Sequence, residues 1–197
     1  NLVDILRCSV GVNQHPKNLV YEISEKGLEF GESFFAANNI INDGPVIALQ
    51  AGASQSKRQW DAPKFAQLVK MLIEELNARV ILTGIPKEQK IASEILSHYN
   101  HPRVCSSIGK TSVPQLAAIL KKCNLLVTGD TGTMHLSVAV GTPVVAGFLA
   151  SAYCFETGPY GAGNFVLQPQ ISCGPCNPNF RCQKTDCHDH FTPEMIY

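Results

Sequence analysis

The sequence predicts an α/β fold, a Rossmann-like doubly wound parallel sheet. Three features of the 197-residue chain support this prediction. From Val46 onwards, short apolar runs alternate with segments whose apolar residues recur at the helical period. The loops between the predicted strands and helices are short, as in parallel sheets with right-handed crossovers. The apolar runs are also unbroken, which is typical of strands that helices cover on both faces.

The residues ahead of this repeat, 1–43, have a different organisation, and we interpret them as an interdomain or linker segment with one helix. The stretch "KNLVYEIS" (17–24) alternates like a short edge strand. The stretch "KGLEFGESFFAANNI" (26–40) predicts the helix. The inward face of that helix is expected to hold Leu28, Phe34, Phe35 and Ile40. The turn cluster Asn42-Asp43-Gly44-Pro45 marks the boundary with the next domain.

The Rossmann-like domain is predicted to span residues 44–170 and to contain six strands. Each is a short run rich in apolar residues, and the third shows the weakest strand pattern. The strands are expected at "VIALQAG" (46–52), "RVILTG" (79–84), "RVCSSIG" (103–109), "NLLVTG" (124–129), "PVVAGF" (143–148) and "NFVLQP" (164–169).

Helices are predicted between these strands. Asp61 is expected to cap the first, with Pro63 in its first turn. The stretch "KEQKIASEILSHY" (87–99) predicts the second, and a capping box starting at Ser112 opens the third. The fourth is "TMHLSVAVG" (133–141). Ligands of such sheets bind at the carboxyl ends of the strands, near the point where the strand order reverses.

Composition narrows the class of partner. Hydrophobic residues make up 45% of the chain and charged residues 16%, which is ordinary for a soluble α/β protein. The 16 basic and 16 acidic residues cancel, so no basic field would attract nucleic acid, and we expect no nucleic-acid partner. The first twenty residues lack a basic segment leading into an apolar core, so we expect no signal peptide.

A short polar segment, Gly129 to His135, lies where the fourth strand ends and the fourth helix begins. Asp130 is expected to cap that helix, whose first amides are unpaired donors at the positive end of the helix dipole. Gly132 would let a ligand approach the backbone, and Thr131 and Thr133 would add hydroxyl donors. His135, one turn in, would face the same ligand. The arrangement suits a phosphate or diphosphate. Alternatively, these residues only cap the helix and pack locally.

The segment "GDTGTMHLSVAVGTPVVAGF" (129–148), followed by "GPYG" (158–161), resembles the carboxy-terminal half of glycosyltransferase family 9, the ADP-heptose:lipopolysaccharide heptosyltransferases. Further matching segments cover 46–196 in order. They are "AGASQSKRQWDAPKFAQLVKML", "VILTGIPKEQKIA", "IGKTSVPQLAAIL" and the closing "CGPC", later cysteines and "FTPEMI". The resemblance implies the GT-B architecture, two Rossmann-like domains facing across a cleft, with this chain as the donor-binding one. The glycine-rich dinucleotide fingerprint and the P-loop are both missing.

The resemblance implies donor-binding roles for named residues. Beside the diphosphate and sugar would lie Asp130, Thr131, Gly132, Thr133 and His135. Ser54 would donate to a phosphate. The basic residue that the family carries before Trp60 corresponds to Lys57 or Arg58, because this chain is one residue longer there. The acid that contacts the nucleotide ribose falls at Glu88, although the alignment also allows Lys87 at that place.

The function implied is that of an inverting glycosyltransferase of lipopolysaccharide or surface glycan assembly. It would be cytoplasmic, or peripheral at the inner face of the inner membrane. Amides, hydroxyls and a cation would stabilise the leaving diphosphate, so no cofactor is expected for catalysis. In the family, an aspartate of the amino-terminal domain is the catalytic base, and the acceptor glycan or lipid A core binds mainly there. Asp4 and Asp43 lack a context for that role, so we expect this chain alone to bind a donor without transferring it.

The carboxy-terminal tail, 171–197, is rich in cysteine. Cys173, Cys176, Cys182 and Cys187 follow the spacing C-x2-C-x5-C-x4-C. Four thiolates at such spacing can hold a structural zinc ion or an iron–sulfur cluster. A loop of reduced cysteines is the alternative, and two disulfides are disfavoured in a reducing cytoplasm.

Two other functions stay open at the level of the sequence. One is a non-catalytic nucleotide-sugar-binding or regulatory module. The other is an interaction domain whose cysteine cluster, stapled by a metal, forms a docking surface. A Rossmann-like sheet by itself does not separate them, because such sheets serve many functions.

Overall fold

The computed structural model of the chain describes residues 2–11, 18–176 and 186–197. Within them, six parallel strands form one sheet in the order β3-β2-β1-β4-β5-β6. The strands are β1 (Val46–Gln50), β2 (Arg79–Thr83), β3 (Val104–Ser106), β4 (Leu125–Gly129), β5 (Val144–Gly147) and β6 (Phe165–Leu167). The order reverses between β1 and β4, which pair in parallel from Ile47 beside Leu125. The predicted doubly wound parallel sheet is therefore confirmed.

Helices alternate with these strands along the chain. They are α1 (Leu2–Ser9), α2 (Glu25–Ala37), α3 (Ala62–Leu76), α4 (Gln89–His98), α5 (Val113–Lys121), α6 (Gly132–Ala139), α7 (Cys154–Thr157) and α8 (Asp186–Asp189). Short 3₁₀ turns occupy Ser56–Arg58, Pro86–Glu88 and Pro193–Met195. In the described part of the chain, no helix combines the length and the apolar character needed to cross a membrane.

The sheet separates two apolar cores, because successive strand residues point to opposite faces. On one face, Ile47 and Leu49 of β1 pack into the core built on α3 and α4. On the other face, Val46 and Ala48 pack into the core that contains Phe35 of α2 and two buried residues of α5, Ile119 and Leu120. All five residues of β1 are buried. This two-sided burial is the physical reason for the unbroken apolar runs.

Helix starts follow the capping residues in the sequence. The Asp61 carboxylate accepts a hydrogen bond from the Lys64 amide at 3.2 Å, and Pro63 lies in the first turn of α3. At α5, the Gln115 side-chain oxygen accepts from the Ser112 amide at 2.8 Å. Both caps were predicted from sequence, and both are confirmed.

The amino-terminal segment departs from the prediction in two ways. Residues 18–24 contain no strand, and the Tyr21 amide instead donates to the Ala139 carbonyl at the end of α6. The Leu28 side chain is 43% exposed, so its predicted burial is wrong. The reason is that α2 approaches α5 through glycines, since a Cβ on Gly31 would lie 3.0 Å from Ala118. Gly27, Gly31 and Phe35, four residues apart, form the buried face.

The last residues of the chain pack onto the sheet beside its carboxyl end. Cys187 and Phe191 belong to the same core as β1 and α3. The Trp60 indole N–H donates to the Phe191 carbonyl at 3.0 Å. A Cβ on Gly147 would come within 2.4 Å of the Phe191 ring, so only glycine leaves space for that ring at the end of β5. The described end of the tail is thus part of the domain core.

Candidate functional site

A cleft of about 630 Å³ opens at the carboxyl ends of the strands, beside the reversal of strand order. Eight of the nine predicted donor-binding residues line it. They are Ser54, Arg58, Glu88, Asp130, Thr131, Gly132, Thr133 and His135. Lys57 is not among the lining residues, and its carbonyl instead accepts from the His188 ring at 2.9 Å. The fold therefore brings together residues separated by up to 81 positions in sequence, from Ser54 to His135.

Asp130 and Arg58 form an ion pair on the wall of the cleft. Arg58 Nη1 lies 2.9 Å from Asp130 Oδ2, and the two side chains are 19% and 14% exposed. Arg58 Nε also donates to the Ser151 hydroxyl at 3.1 Å. The predicted capping role of Asp130 is wrong, because the N-cap of α6 is Thr131 and no side chain caps the helix. The carboxylate is instead turned to the guanidinium.

The threonine hydroxyls of the polar segment 129–135 already form hydrogen bonds within the protein. Thr133 Oγ1 donates to the Gln50 side-chain oxygen at 3.2 Å. Thr131 Oγ1 lies 2.9 Å from Thr128 Oγ1, whose own proton goes to the Gly129 carbonyl. Since a hydroxyl has one proton, Thr131 is the donor in that pair. Both threonines would therefore have to break a bond within the protein before donating to a ligand.

The start of α6 supplies the unengaged donors. With no side-chain cap at Thr131, the first amides of the helix have no side-chain acceptor within the described chain. A Cβ added to Gly132 would meet no atom within 4 Å, and its backbone needs no left-handed conformation. Gly132 thus has no packing reason to be glycine. Its bare backbone lines the cleft.

Glu88 is a buried carboxylate at the side of the cleft, with 8% exposure. Its Oε2 atom accepts from the Gln50 amide group at 2.8 Å and from the Ile85 backbone N–H at 2.9 Å. The neighbouring Lys87 also lines the cleft but is exposed. Both candidates for the residue that contacts the ribose therefore lie at the site. Glu88 is buried and held by hydrogen bonds, and Lys87 is exposed to solvent.

Several lining residues escaped the sequence analysis, among them Gln50 and Thr157. Gln50 ends β1, where an apolar run hides a polar side chain that is 4% exposed. Thr157 ends α7, and its hydroxyl oxygen is buried without a hydrogen-bond partner among the described residues. The signal for Gln50 was present in the sequence, as a polar residue just before Ala51-Gly52 at a strand end. Thr157 offered none, because its place in the cleft depends on the loop after β5.

The cysteine cluster is described only in part. Cys173 is exposed, Cys176 half-buried and Cys187 buried, whereas Cys182 lies outside the described residues. Among the residues that are described, no three His, Cys, Asp or Glu side chains are grouped to hold a metal ion. The metal site stays a prediction.

A carboxylate held by two arginines lies at the opposite end of the sheet. Asp43, just before β1, accepts from Arg79 at 2.8 and 3.1 Å and from Arg103 at 2.8 Å. These hydrogen bonds hold the pKa of the Asp43 carboxyl well below its usual range. Elsewhere, burial raises the pKa of the Cys123 thiol to about 12, so this cysteine is an unreactive core residue.

The chain matches the model of glycosyltransferase family 9 (heptosyltransferase) over residues 2–185. It is 30% identical over 122 residues to lipopolysaccharide heptosyltransferase 2 of Escherichia coli K12, covering 59% of this chain and 35% of that protein.

Solved structures agree in fold. A glycosyltransferase family 9 protein from Veillonella parvula superposes with a TM-score of 0.75 at 25% identity, covering 84% of this chain and 47% of that one. The ADP-heptose lipopolysaccharide heptosyltransferase II of E. coli gives 0.67 at 26% identity, covering 79% and 46%. The chain thus spans about a third of the curated relative and just under half of each solved chain.

Proposed function

The chain belongs to glycosyltransferase family 9, and on that premise we propose that it is the donor-binding part of an inverting glycosyltransferase of lipopolysaccharide or surface glycan assembly. The donor would be a nucleotide diphosphate sugar. ADP-heptose is the default, because it stands in the name of the E. coli structure that the chain resembles. The cytoplasmic location expected from the sequence is part of this proposal.

The observation that carries the proposal is the uncapped start of α6. Its first amides, the bare backbone of Gly132 and the Arg58 guanidinium all line one cleft. Amides at a helix N-terminus bind anions, because the unpaired N–H groups and the helix dipole both favour negative charge. A cation beside them adds a charge-assisted contact to phosphate oxygens. A diphosphate has the charge and the oxygens to use both.

These groups also suit the reaction. When a sugar leaves its nucleotide diphosphate, positive charge develops on the sugar ring and negative charge on the departing diphosphate. Donors fixed in place before the reaction stabilise that negative charge without reorganising. Losing one such donor typically costs about 3 kcal/mol of transition-state stabilisation. The rigid start of α6 and the anchored Arg58 would supply this stabilisation here.

The two carboxylates of the cleft need a different role, because they repel phosphate. Asp130 is held by Arg58, and Glu88 by Gln50 and Ile85. Carboxylates accept hydrogen bonds, so each can receive hydroxyl groups of a sugar. We assign Glu88 to the nucleotide ribose and Asp130 to the transferred sugar, beside His135. Asp130 would also keep Arg58 oriented towards the diphosphate.

Asp130 and Glu88 are both assigned to hydroxyl groups of the donor, so neither is assigned as the general base that deprotonates the acceptor. We therefore propose that the 197-residue chain binds the donor and that deprotonation of the acceptor hydroxyl depends on residues outside it. The acceptor glycan or lipid would bind there as well. Efficient transfer to an acceptor by this chain alone would contradict this part of the proposal.

Isothermal titration calorimetry of the 197-residue chain with ADP, UDP and an ADP-sugar tests donor binding. We expect heat with ADP. The Gly132→Ala variant should lose about tenfold or more in ADP affinity, because its methyl group would separate the diphosphate from the amides of α6. Its melting temperature should stay close to that of the wild type, since the added Cβ meets no protein atom within 4 Å.

Gly129→Ala is the matched control. A Cβ there comes no closer than 3.5 Å to the Gly147 carbonyl oxygen, and Gly129 is not a lining residue of the cleft. It should keep the wild-type affinity for ADP. If neither nucleotide binds to the folded wild-type chain, the protein is an interaction module or has another ligand, and the proposed function fails.

A further inference from the structure

We propose that Gln50 is a positioning residue that couples the two sides of the cleft, the Glu88 side and the α6 side. This role deepens the proposed function and rests on it, because Glu88 is assigned there to the ribose. Gln50 stands at the end of β1, the strand that pairs with β4 where the strand order reverses. Its side chain contacts Glu88 on one side of the cleft and Thr133 on the other.

The orientation of the Gln50 side chain follows from its partners. Its Nε2 lies 2.8 Å from Glu88 Oε2, in a buried contact. A carboxylate only accepts hydrogen bonds, so the group facing it has to be the amide NH₂. The side-chain oxygen Oε1 then receives the hydroxyls of Thr133 at 3.2 Å and Thr83 at 3.3 Å. A leucine of similar size makes none of these bonds.

Glu88 depends on this contact for its position. Its Oε2 atom accepts hydrogen bonds from two donors, the Gln50 side chain and the Ile85 amide. A Cβ on Gly52 would lie 2.1 Å from Oε1. A Cβ on Gly84 would lie 2.4 Å from Oε2. The carboxylate therefore occupies space that only two glycines leave open. Within the described chain, no hydrogen bond to Oε1 is formed, so this oxygen is available to the hydroxyls of a ligand.

On the other side, Gln50 determines what the Thr133 hydroxyl can do. Because that proton goes to Gln50 Oε1, the hydroxyl offers the cleft its lone pairs, and the amides of α6 provide the donors to an anion. Gln50 thus holds the Glu88 carboxylate where it can accept hydrogen bonds from the ribose hydroxyls. On the α6 side, it makes the Thr133 hydroxyl an acceptor and leaves donation to the amides of α6. Its side chain need not touch the ligand.

The test compares ADP with 2′,3′-dideoxy-ADP, which lacks the two ribose hydroxyls, by calorimetry on the full chain. The wild type should prefer ADP. In Gln50→Leu, the preference for ADP should fall by about tenfold, the equivalent of one hydrogen bond to a charged group, while the affinity for dideoxy-ADP changes less than about threefold. Combining Gln50→Leu with Glu88→Gln should lower the preference no further than Glu88→Gln alone, because both changes act through the same carboxylate.

Thr83→Val is the matched control. It removes a buried hydroxyl that bonds Gln50 Oε1 but leaves the contact between Gln50 and Glu88, so the preference for ADP should be retained. If Gln50→Leu does not fold, Gln50→Met is used, since methionine adapts to irregular buried space. Equal weakening of both ligands would show a merely structural role and overturn the inference. Failure of the wild type to bind either ligand would instead reject the proposed function.

Discussion

Two clusters of arginine and aspartate lie at opposite ends of the same sheet. At the amino end, Asp43 accepts hydrogen bonds from Arg79, the first residue of β2, and from Arg103, just before β3. At the carboxyl end, Arg58 pairs with Asp130, just after β4. The charges are alike, but the surroundings are not. Both oxygens of Asp43 are occupied by guanidinium groups, whereas Arg58 and Asp130 line an open cleft.

The two ends of a parallel sheet therefore place the same kind of ion pair in different surroundings. At the amino end the strands start close together, so one carboxylate can join three neighbouring segments into a closed clamp. At the carboxyl end each strand leads into a loop and then a helix start, whose unpaired amides add positive potential. The first pair stabilises the fold. The second has polar neighbours that a ligand can use, and it marks the site.

The largest effect is expected from removing the cation of the cleft. Arg58→Gln should weaken ADP binding by about 100-fold, since a charged contact to phosphate contributes up to about 3 kcal/mol. The fold should persist, because Arg58 lies on the wall of the cleft and outside both apolar cores. Calorimetric titration with ADP measures the loss.

Lys57→Gln is the matched control for Arg58. It removes the neighbouring cation, which is not a lining residue of the cleft, and should change ADP affinity less than about threefold. Loss of binding in Lys57→Gln with retention in Arg58→Gln would reverse the assignment and break the contrast between the two ends of the sheet.

An intermediate effect is expected at the amino end, on stability rather than on binding. The pKa of Asp43 is lowered in the folded state, so the unfolded chain binds more protons in acid and stability falls as the pH drops below the ordinary Asp value of 3.8. Asp43→Asn should lower the melting temperature at pH 7 and lose this part of the acid dependence. Thermal melts from pH 7 to pH 3 measure both effects.

ADP affinity supplies the control for Asp43→Asn. At pH 7 and at a temperature where the variant is folded, it should match the wild type, because the clamp lies at the end of the sheet opposite the cleft. A large loss of affinity in the folded variant would show that the two ends are coupled and that the Asp43 clamp also serves the site.

The smallest effect concerns hydroxyl groups. Thr157→Val removes a buried hydroxyl that has no hydrogen-bond partner in the described part of the chain, and should raise the free energy of unfolding by about 1 kcal/mol. Thr142→Val removes a buried hydroxyl that donates to the Leu120 carbonyl at 2.7 Å, and should lower the free energy of unfolding by a similar amount. Urea denaturation compares the two. The same sign in both variants would mean that the cleft holds no unsatisfied group.

The site could be predicted from sequence where it follows the chain. Thr131, Gly132 and Thr133 are consecutive and lie where a strand ends and a helix starts, so periodicity alone places them at the cleft. Asp130 was placed correctly but assigned the wrong partner. The sequence predicts that the Asp130 carboxylate caps the neighbouring helix. Its actual partner, Arg58, lies 72 positions away in the sequence, so local patterns do not reveal it.

Sequence patterns alone predict the succession of strands and helices along the chain, two helix caps and the polar segment at the end of β4. These are local properties, since hydrophobic period and capping depend on residues within a few positions of one another. The folded chain is needed to show that Arg58 and not Lys57 lines the cleft, that Gln50 joins Glu88 to Thr133, and that the Thr157 hydroxyl has no partner among the described residues. Those are contacts between separate loops, and their geometry is set by how the whole sheet packs.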